Sequence, residues 1–188
     1  MNRLLFASAL VLLPLAASAV TGNVDFAFGS RHLHENDWQP FEDQNTGGVL
    51  ADFNFGGHSP FNLAVGSLAS SEERRDARVT VVDVMVGAKV MPYDGIFGQD
   101  LFRPYLELGL LRSGVNVQVH HAKDDHDGDG GYYGALGGLF RPAPHLNVGF
   151  DLRTTQGLDA KLFGSRSSLD SFIGTVFVGF HWGADDRS

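Results

Sequence analysis

Hydrophobic and polar residues alternate along most of the chain after residue 19. In the segment 78–91, Val82, Val84 and Val86 share one face, and Asp83 lies on the other. This period of two is typical of a β-strand whose faces have different surroundings, and no long helical stripe accompanies it. The pattern predicts eight strands, at about residues 22–30, 47–56, 61–70, 78–91, 102–115, 132–141, 145–154 and 169–182.

The face opposite the apolar one indicates what kind of sheet these strands form. It consists mostly of glycine, alanine and asparagine, with a few isolated charges: Asp25, Asp52, Asp83, Lys89, Glu107, Asp151 and Arg153. A soluble barrel would carry a dense row of polar side chains on its outer face, whereas small residues with sparse charges suit a narrow lumen. We therefore predict an all-β fold, an eight-stranded antiparallel up-and-down transmembrane β-barrel with paired charges inside and apolar side chains toward lipid.

The predicted connectors differ in length between the two rims. Those after odd strands are long and polar, at about 31–46, 71–77, 116–131 and 155–168. Those after even strands are shorter or contain proline, at about 57–60, 92–101 and 141–144. Long loops at one rim and short turns at the other are typical of outer-membrane barrels.

Residues 1–19 have the pattern of a cleaved signal peptide. Arg3 precedes an apolar run at 4–15, and Ala17 and Ala19 form an A-x-A cleavage site. The run is too short to span a membrane as a helix. We expect export and cleavage, which leaves residues 20–188 as one barrel domain.

Composition and charge exclude several other classes of protein. The 188 residues include no cysteine, which rules out disulfides and thiolate metal sites. The net charge of -8 argues against nucleic acid as a partner. A mean hydropathy of -0.06 excludes a polytopic helical membrane protein.

The chain resembles the small bacterial outer-membrane β-barrel proteins, which include OmpA-type barrel domains and OmpX-like and OmpW-like proteins. The likeness rests on the signal ending at Ala17–Ala19, on FRPYLELG at 102–109 and on the closing FVGFHW at 177–182. The resemblance implies a location in the bacterial outer membrane, surroundings of lipid and lipopolysaccharide, and insertion by the barrel-assembly machinery. It implies a fold and a location but no reaction.

The segment 120–131 is the most conspicuous candidate binding site. Its spacing matches the D-x-D-x-D-G opening of a calcium loop, but Leu136 stands where an EF-hand has glutamate, so that motif is excluded. The neighbouring histidines favour zinc, copper or nickel. Two alternatives stay open: a solvated acidic loop, or a loosely bound divalent cation held by Asp125, Asp127, Asp129, His120, His121 and His126.

The first long loop adds a second group of polar side chains. His32 and Glu35 would approach His120 and Asp124 if the two loops share a rim. We expect Trp38, in the same loop, to lie at the membrane interface.

The predicted function is that of a non-enzymatic outer-membrane barrel, a structural protein that presents polar loops and has no catalytic or cofactor site. Three alternatives remain: a narrow channel for small or hydrophobic solutes, a soluble periplasmic lipocalin-like binder, and a lipid A-modifying barrel enzyme. Ser167, Ser168, Ser171 and Asp170 offer the residue types for nucleophilic catalysis. However, His181, the candidate base, is expected near the periplasmic rim.

Overall fold

A computed structural model describes residues 20–34, 38–55, 59–74, 77–92, 102–119 and 124–183. The predicted signal peptide, residues 1–19, lies outside the described residues, so its cleavage stays a prediction. No helix in these six ranges is long and apolar enough to cross a membrane.

Eight strands form a closed antiparallel barrel in which each strand pairs with its neighbours in the chain and the last closes on the first. A separate two-stranded hairpin is inserted before the last strand. The elements are β1 (Thr21–Leu33), β2 (Asp43–Asn54), β3 (Phe61–Arg74), β4 (Ala77–Val90), β5 (Phe102–Val119), β6 (Asp125–Ala143), β7 (Leu146–Gln156), β8 (Asp159–Leu162), β9 (Ser165–Ser168) and β10 (Ser171–Trp182).

The eight predicted strands are confirmed, but all four loops predicted after odd strands are too long. The loop 71–77 shrinks because β3 continues to Arg74 and β4 starts at Ala77. The supposed loop 31–46 shrinks because β1 continues to Leu33 and β2 starts at Asp43. Most of 116–131 belongs to β5 and β6, and 155–168 contains the β8–β9 hairpin. In the strands that extend further, inward and outward side chains keep alternating beyond the last outward-facing apolar residue.

The strand register sets the shape of the barrel. A row of paired residues that starts at Gly22 on β1 crosses the other seven barrel strands and returns to β1 at His32, ten positions further on. Such a stagger requires strands tilted by roughly 40° from the barrel axis, and eight strands enclose a lumen that side chains can fill.

Outward side chains form an apolar belt around the barrel. Its large exposed members include Phe26, Phe28, Val84, Val86, Leu106, Leu108, Leu110, Leu136, Val148, Phe150, Val176 and Val178. At the end of the barrel where β1 begins, here the inner end, an aromatic girdle borders the belt and consists of Phe53, Phe55, Phe61, Phe102, Phe140, Phe180 and Trp182. An apolar band with an aromatic border is typical of a lipid-facing barrel surface.

Toward the opposite, outer end the two faces of the strands exchange polarity. On β5, Leu106, Leu108 and Leu110 face outward in the belt, and Arg112 and the polar positions beyond it continue the same face. The inward face of this outer section is buried and carries an apolar cluster beside a few hydroxyl and amide side chains. The apolar members include Leu33, Val79, Val81, Leu111, Val115, Val117 and Ile173. The outer section is therefore built like a soluble barrel that stands on the membrane-spanning part.

A charge placed in the belt tests this boundary. Leu108→Arg should lower the free energy of unfolding in lipid vesicles by about 2–4 kcal/mol, because the new cation faces hydrocarbon. Gln118→Arg, on the same face of β5 but in the outer section, should change it by less than about 0.5 kcal/mol. Denaturant titrations of the refolded protein measure both. Equal effects of the two substitutions would contradict the boundary.

Candidate functional site

Five buried charges of alternating sign form a chain through the middle of the lumen. Nζ of Lys89 lies 3.1 Å from Oδ2 of Asp52 and 3.6 Å from Oε2 of Glu107. Arg153 continues the chain, with contacts of 3.4 Å to Glu107 and 3.2 Å to Asp151. The chain links β2, β4, β5 and β7, and it confirms the predicted pairing of charges inside the barrel.

Two tyrosines extend this charge chain. The hydroxyl of Tyr133 donates to Oε1 of Glu107 at 2.7 Å, and that of Tyr105 donates to Oδ2 of Asp151 at 2.8 Å. Each ring also lies beside a cation of the chain. Nζ of Lys89 is 4.5 Å from the centroid of the Tyr105 ring, and Cζ of Arg153 is 4.6 Å from that of the Tyr133 ring. Cation–π contacts of this kind add to the stabilisation of desolvated cations.

Glycines make room for the two rings. Gly87 and Gly109 are paired on β4 and β5, and a Cβ atom on either would overlap Tyr133. A Cβ atom on Gly137 would likewise overlap Tyr105. At these positions the glycine-rich inward face is needed for the packing of the lumen, as the sequence indicated.

Amide side chains carry the hydrogen bonds to the inner end. Oδ1 of Asp52 accepts from Nδ2 of Asn23 at 2.8 Å and from Nδ2 of Asn62 at 2.9 Å. Oδ1 of Asn23 in turn accepts from Asn147 at 2.8 Å and from Arg141 at 3.3 Å. This end of the lumen is closed by neutral and cationic donors around shared oxygen acceptors.

Arg31 and Asp83 form a buried ion pair nearer the outer end. The prediction placed Arg31 in a surface loop, which is wrong, because β1 continues through this position and turns the side chain inward. Arg31 is the ion-pair partner of Asp83, which the sequence interpretation had left without one.

The β8–β9 hairpin lies over the outer mouth of the barrel and is called the lid below. Its approach and first strand bury Leu158, Ala160 and Leu162 against the apolar cluster of the outer section. Nε1 of Trp38 donates to the carbonyl oxygen of Ser168 at 2.6 Å. The prediction that Trp38 lies at the membrane interface is therefore wrong, since the ring is buried beneath the lid.

A two-residue turn closes the lid. Leu162 pairs with Ser165, and the residues between them, Phe163 and Gly164, have φ angles of 48° and 86°. Two consecutive positive φ values are typical of a type I′ turn, which matches the twist of a short hairpin. The turn exposes the Phe163 ring to solvent.

The predicted metal-binding carboxylates Asp125, Asp127 and Asp129 hold the lid to β6. They project from one side of the strand with the two-residue spacing of β-structure, and Oδ2 of each accepts a backbone N–H at the edge of the lid. The pairs are Asp125 with Phe163 at 2.7 Å, Asp127 with Lys161 at 2.6 Å and Asp129 with Asp159 at 3.1 Å. We call these three side chains the carboxylate clamp.

The other oxygen of the clamp residues serves the edge of β6 itself. Oδ1 of Asp125 accepts the backbone N–H of His126 at 2.9 Å, and Oδ1 of Asp129 accepts that of Gly130 at 2.8 Å. The carboxylates thus bridge two strand edges that do not pair directly. The D-x-D-x-D spacing has a structural role that needs no ligand.

The six predicted metal ligands do not converge within the described part of the chain. His126 faces the opposite side of β6 from the clamp, and His120 and His121 lie outside the described residues, as does Glu35. No group of three or more His, Asp or Glu in the described ranges is arranged to hold a metal ion. The divalent-cation hypothesis stays a prediction.

Backbone donors also lower the pKa of two clamp residues. The N–H groups of Lys161 and then Gly128 hold the pKa of Asp127 below its usual value. Those of Asp159 and Gly130 do the same for Asp129. Because these pKa values are lower in the folded protein, the clamp contributes stability at neutral pH and loses it as the pH falls through the folded values.

The serines considered as nucleophiles and the candidate base His181 lie at opposite ends of the barrel. Ser171 is the first residue of β10 and its Oγ is 2.9 Å from Oγ1 of Thr155, whereas His181 lies near the other end of the strand. His181 contacts Asn23 and Arg141, both at 3.0 Å. These serines and this histidine do not form a nucleophile and base pair.

Comparisons with solved structures identify the same architecture. Neisserial surface protein A aligns with a TM-score of 0.59 and 11% identity, over 89% of this chain and 98% of that one. Ail, the attachment invasion locus protein of Yersinia pestis, gives 0.58 and 10%, over 86% and 98%. The N-terminal β-barrel domain of Pseudomonas aeruginosa OprF gives 0.54 and 12%, over 88% and 98%.

Sequence comparison adds nothing to this likeness, because neither a protein-family model nor a curated protein sequence matches the chain. The structural neighbours confirm the predicted fold class and the resemblance to small outer-membrane barrels. They show that the chain has the fold of the small outer-membrane barrels, and its own apolar belt is of the kind that faces lipid in such barrels.

The isolated ion pair gives a test of the lumen. Arg31→Met should lower the free energy of unfolding in vesicles by about 3–5 kcal/mol, because Asp83 is left as an uncompensated buried charge. Arg31→Met with Asp83→Leu should recover most of this loss, since both charges are then absent. A single variant as stable as the wild type would contradict the buried pair.

The clamp gives a second test, with Trp38 as the reporter in a Trp182→Phe background. Replacing all three clamp residues with Asn should shift the Trp38 emission to the red at neutral pH, because water enters beneath a loosened lid. Asp124→Asn is the matched control and should cause no shift. With the carboxylates intact, the shift should begin only below about pH 4, where carboxylates with lowered pKa values gain protons. A shift that is complete by pH 6 would contradict the clamp.

Proposed function

We propose that the protein is a non-enzymatic outer-membrane barrel that acts as a structural scaffold and presents its outer section at the cell surface. The observation that carries the proposal is the filled lumen. Amide groups occupy its inner end, the charge chain its middle, and the apolar cluster and the lid its outer end. Because the side chains of the described interior are buried and paired or packed against one another, the proposal assigns the function to the barrel wall and the outer section and not to the lumen.

The filled lumen argues against the narrow-channel alternative. A hydrated ion would have to separate paired charges such as Lys89 and Glu107 in the middle of the barrel. It would then have to cross the cluster of buried apolar side chains in the outer section, which cannot replace its hydration shell. Both barriers lie on the same path.

The distribution of polarity argues against a soluble lipocalin-like binder. Such a protein keeps its apolar face inside, whereas here Arg153 and Asp151 are buried and Leu108 and Val176 are exposed on the outer wall. A contiguous apolar belt of this extent in water would promote aggregation. The protein therefore needs lipid around it.

The separation of Ser171 from His181 argues against a lipid A-modifying enzyme that uses these residues. The proposal includes lipid and lipopolysaccharide as the surroundings and insertion by the barrel-assembly machinery. Insertion by the assembly machinery is supported by the outward aromatic residues near the end of β10, Phe180 and Trp182.

Two measurements on the refolded chain test this function. In detergent gels, the unheated protein should migrate differently from the boiled protein, because the closed barrel resists unfolding. In planar bilayers, the same preparation should show no steady unitary conductance, because the lumen is filled. Steady conductance would establish the channel alternative, and a monomer that is soluble without detergent would contradict the membrane barrel.

A further inference from the structure

A patch of exposed glycine and polar residues lies on the outward face of β5 and β6, immediately beyond the apolar belt. Three successive cross-strand pairs build it, and all six residues are exposed. From the belt outward these pairs are Arg112 with Gly130, Gly114 with Gly128, and Asn116 with His126. We call this patch the headgroup dish: it has a cation at its lower edge, a floor of glycine, and hydrogen-bonding side chains at its upper edge.

The guanidinium of Arg112 has no counter-ion within the described part of the chain. By contrast, Arg78, which faces outward on the neighbouring strand β4, forms an ion pair with Glu73. The side chains next to Arg112 are apolar or absent, namely Leu110, Val84 and Gly130. A cation at the edge of the hydrocarbon without a carboxylate beside it favours an anion supplied from outside the protein.

The depth of Arg112 in the membrane indicates which anion meets it. Leu110 and Tyr132 form the next pair toward the belt, and the Tyr132 hydroxyl donates to Oε1 of Gln156 at 3.2 Å. A tyrosine with an apolar body and a hydrogen-bonded hydroxyl is typical of the level where hydrocarbon meets headgroups. The Arg112 side chain starts just above that level, within reach of lipid phosphates.

Two of the three floor glycines, Gly114 and Gly130, are not required by the packing of the barrel, whereas a Cβ atom on Gly128 would lie 2.8 Å from the carbonyl oxygen of Ser113. A Cβ atom on Gly130 would have its nearest protein neighbour at 3.8 Å, and one on Gly114 at 3.9 Å. These distances are ordinary van der Waals contacts, in contrast to the overlaps at the lumen glycines Gly87 and Gly109. Side chains are thus tolerated at both positions, and their absence keeps the surface between Arg112 and Asn116 open.

We propose that the headgroup dish binds the phosphate-bearing headgroup of an outer-leaflet lipid. Arg112 pairs with the phosphate, for which the planar guanidinium offers two parallel N–H donors. Asn116 and His126, further from the membrane, offer hydrogen bonds to the polar part of the same headgroup. The inference rests on the proposed location in the outer membrane and specifies one lipid-binding surface on it.

Lipid retention in maltoside micelles tests the dish, because these micelles contain no phosphate. Native mass spectrometry of the refolded full chain measures binding of a diphosphorylated lipid A and of the same lipid after its phosphates are removed. Arg112→Gln should weaken binding of the phosphorylated lipid about tenfold, as expected for the loss of a charge-assisted contact. Arg78→Gln is the matched control and should leave binding within about twofold, because that arginine is already paired.

A second pair of variants tests the shape of the dish. Gly114→Leu should reduce binding as strongly as Arg112→Gln, because the side chain fills the floor. Gly47→Leu is its control, since Gly47 lies on β2, and a Cβ atom there also has no neighbour closer than 3.7 Å. Each variant is first checked for the heat-dependent gel mobility of the folded barrel.

The outcomes separate this inference from the proposed function. A folded barrel that binds both forms of the lipid equally, or that responds equally to Arg112→Gln and Arg78→Gln, overturns the dish and leaves the membrane barrel intact. Inorganic phosphate that competes as effectively as the lipid would show a site for a free anion and would also overturn the proposal. Loss of the heat-dependent mobility in the wild type would instead contradict the proposed function.

Discussion

A charge sealed inside a barrel that is surrounded by lipid must be neutralised within the same lumen, because neither water nor hydrocarbon can do so. The chain from Asp52 through Lys89, Glu107 and Arg153 to Asp151 meets this requirement with alternating signs. Three of the four pairs, Asp52–Lys89, Lys89–Glu107 and Glu107–Arg153, join different strands, so they also fix how the strands meet across the lumen. Removing one member would leave the next uncompensated, which is more costly than the loss of one contact. The dense packing of charged side chains in the described lumen follows from this constraint.

The second organising feature is the exchange of polarity between the two faces near the outer edge of the belt. Because side chains alternate along a strand, two consecutive apolar residues place one apolar side chain on each face and can mark the point where the apolar face passes from outside to inside. Val81 and Val82 on β4 and Leu110 and Leu111 on β5 are such pairs. Below them the barrel is apolar outside and charged inside, and above them it is built like a soluble protein. The lid completes that outer section, because it covers the apolar cluster that would otherwise face water at the mouth.

Most of the barrel could be predicted from the sequence because strand alternation is a local signal. The facing of β1, β4, β5 and β10 and the inward charges were correctly inferred. What was missed depends on contacts between distant segments. The partner of Asp83 is Arg31, 52 positions away, and the clamp residues lie 30 to 38 positions from the backbone groups that they bind. One local signal for the lid was present, since Ala160 and Leu162 alternate with polar residues before the turn at Phe163–Gly164. The D-x-D-x-D spacing was ambiguous because a cation and a row of backbone N–H groups both favour carboxylates.

The most direct test is a scan of solvent accessibility along β5. The chain contains no cysteine, so single cysteines at positions 106 to 118 can each carry one spin label in the refolded protein in vesicles. Outward labels at 106, 108 and 110 should be accessible to dissolved oxygen, which partitions into lipid, and outward labels at 114, 116 and 118 to a water-soluble relaxation agent. Inward labels between them should be protected from both. Access of the water-soluble agent to 106, 108 and 110 would contradict the account, because these positions would then lie outside the membrane.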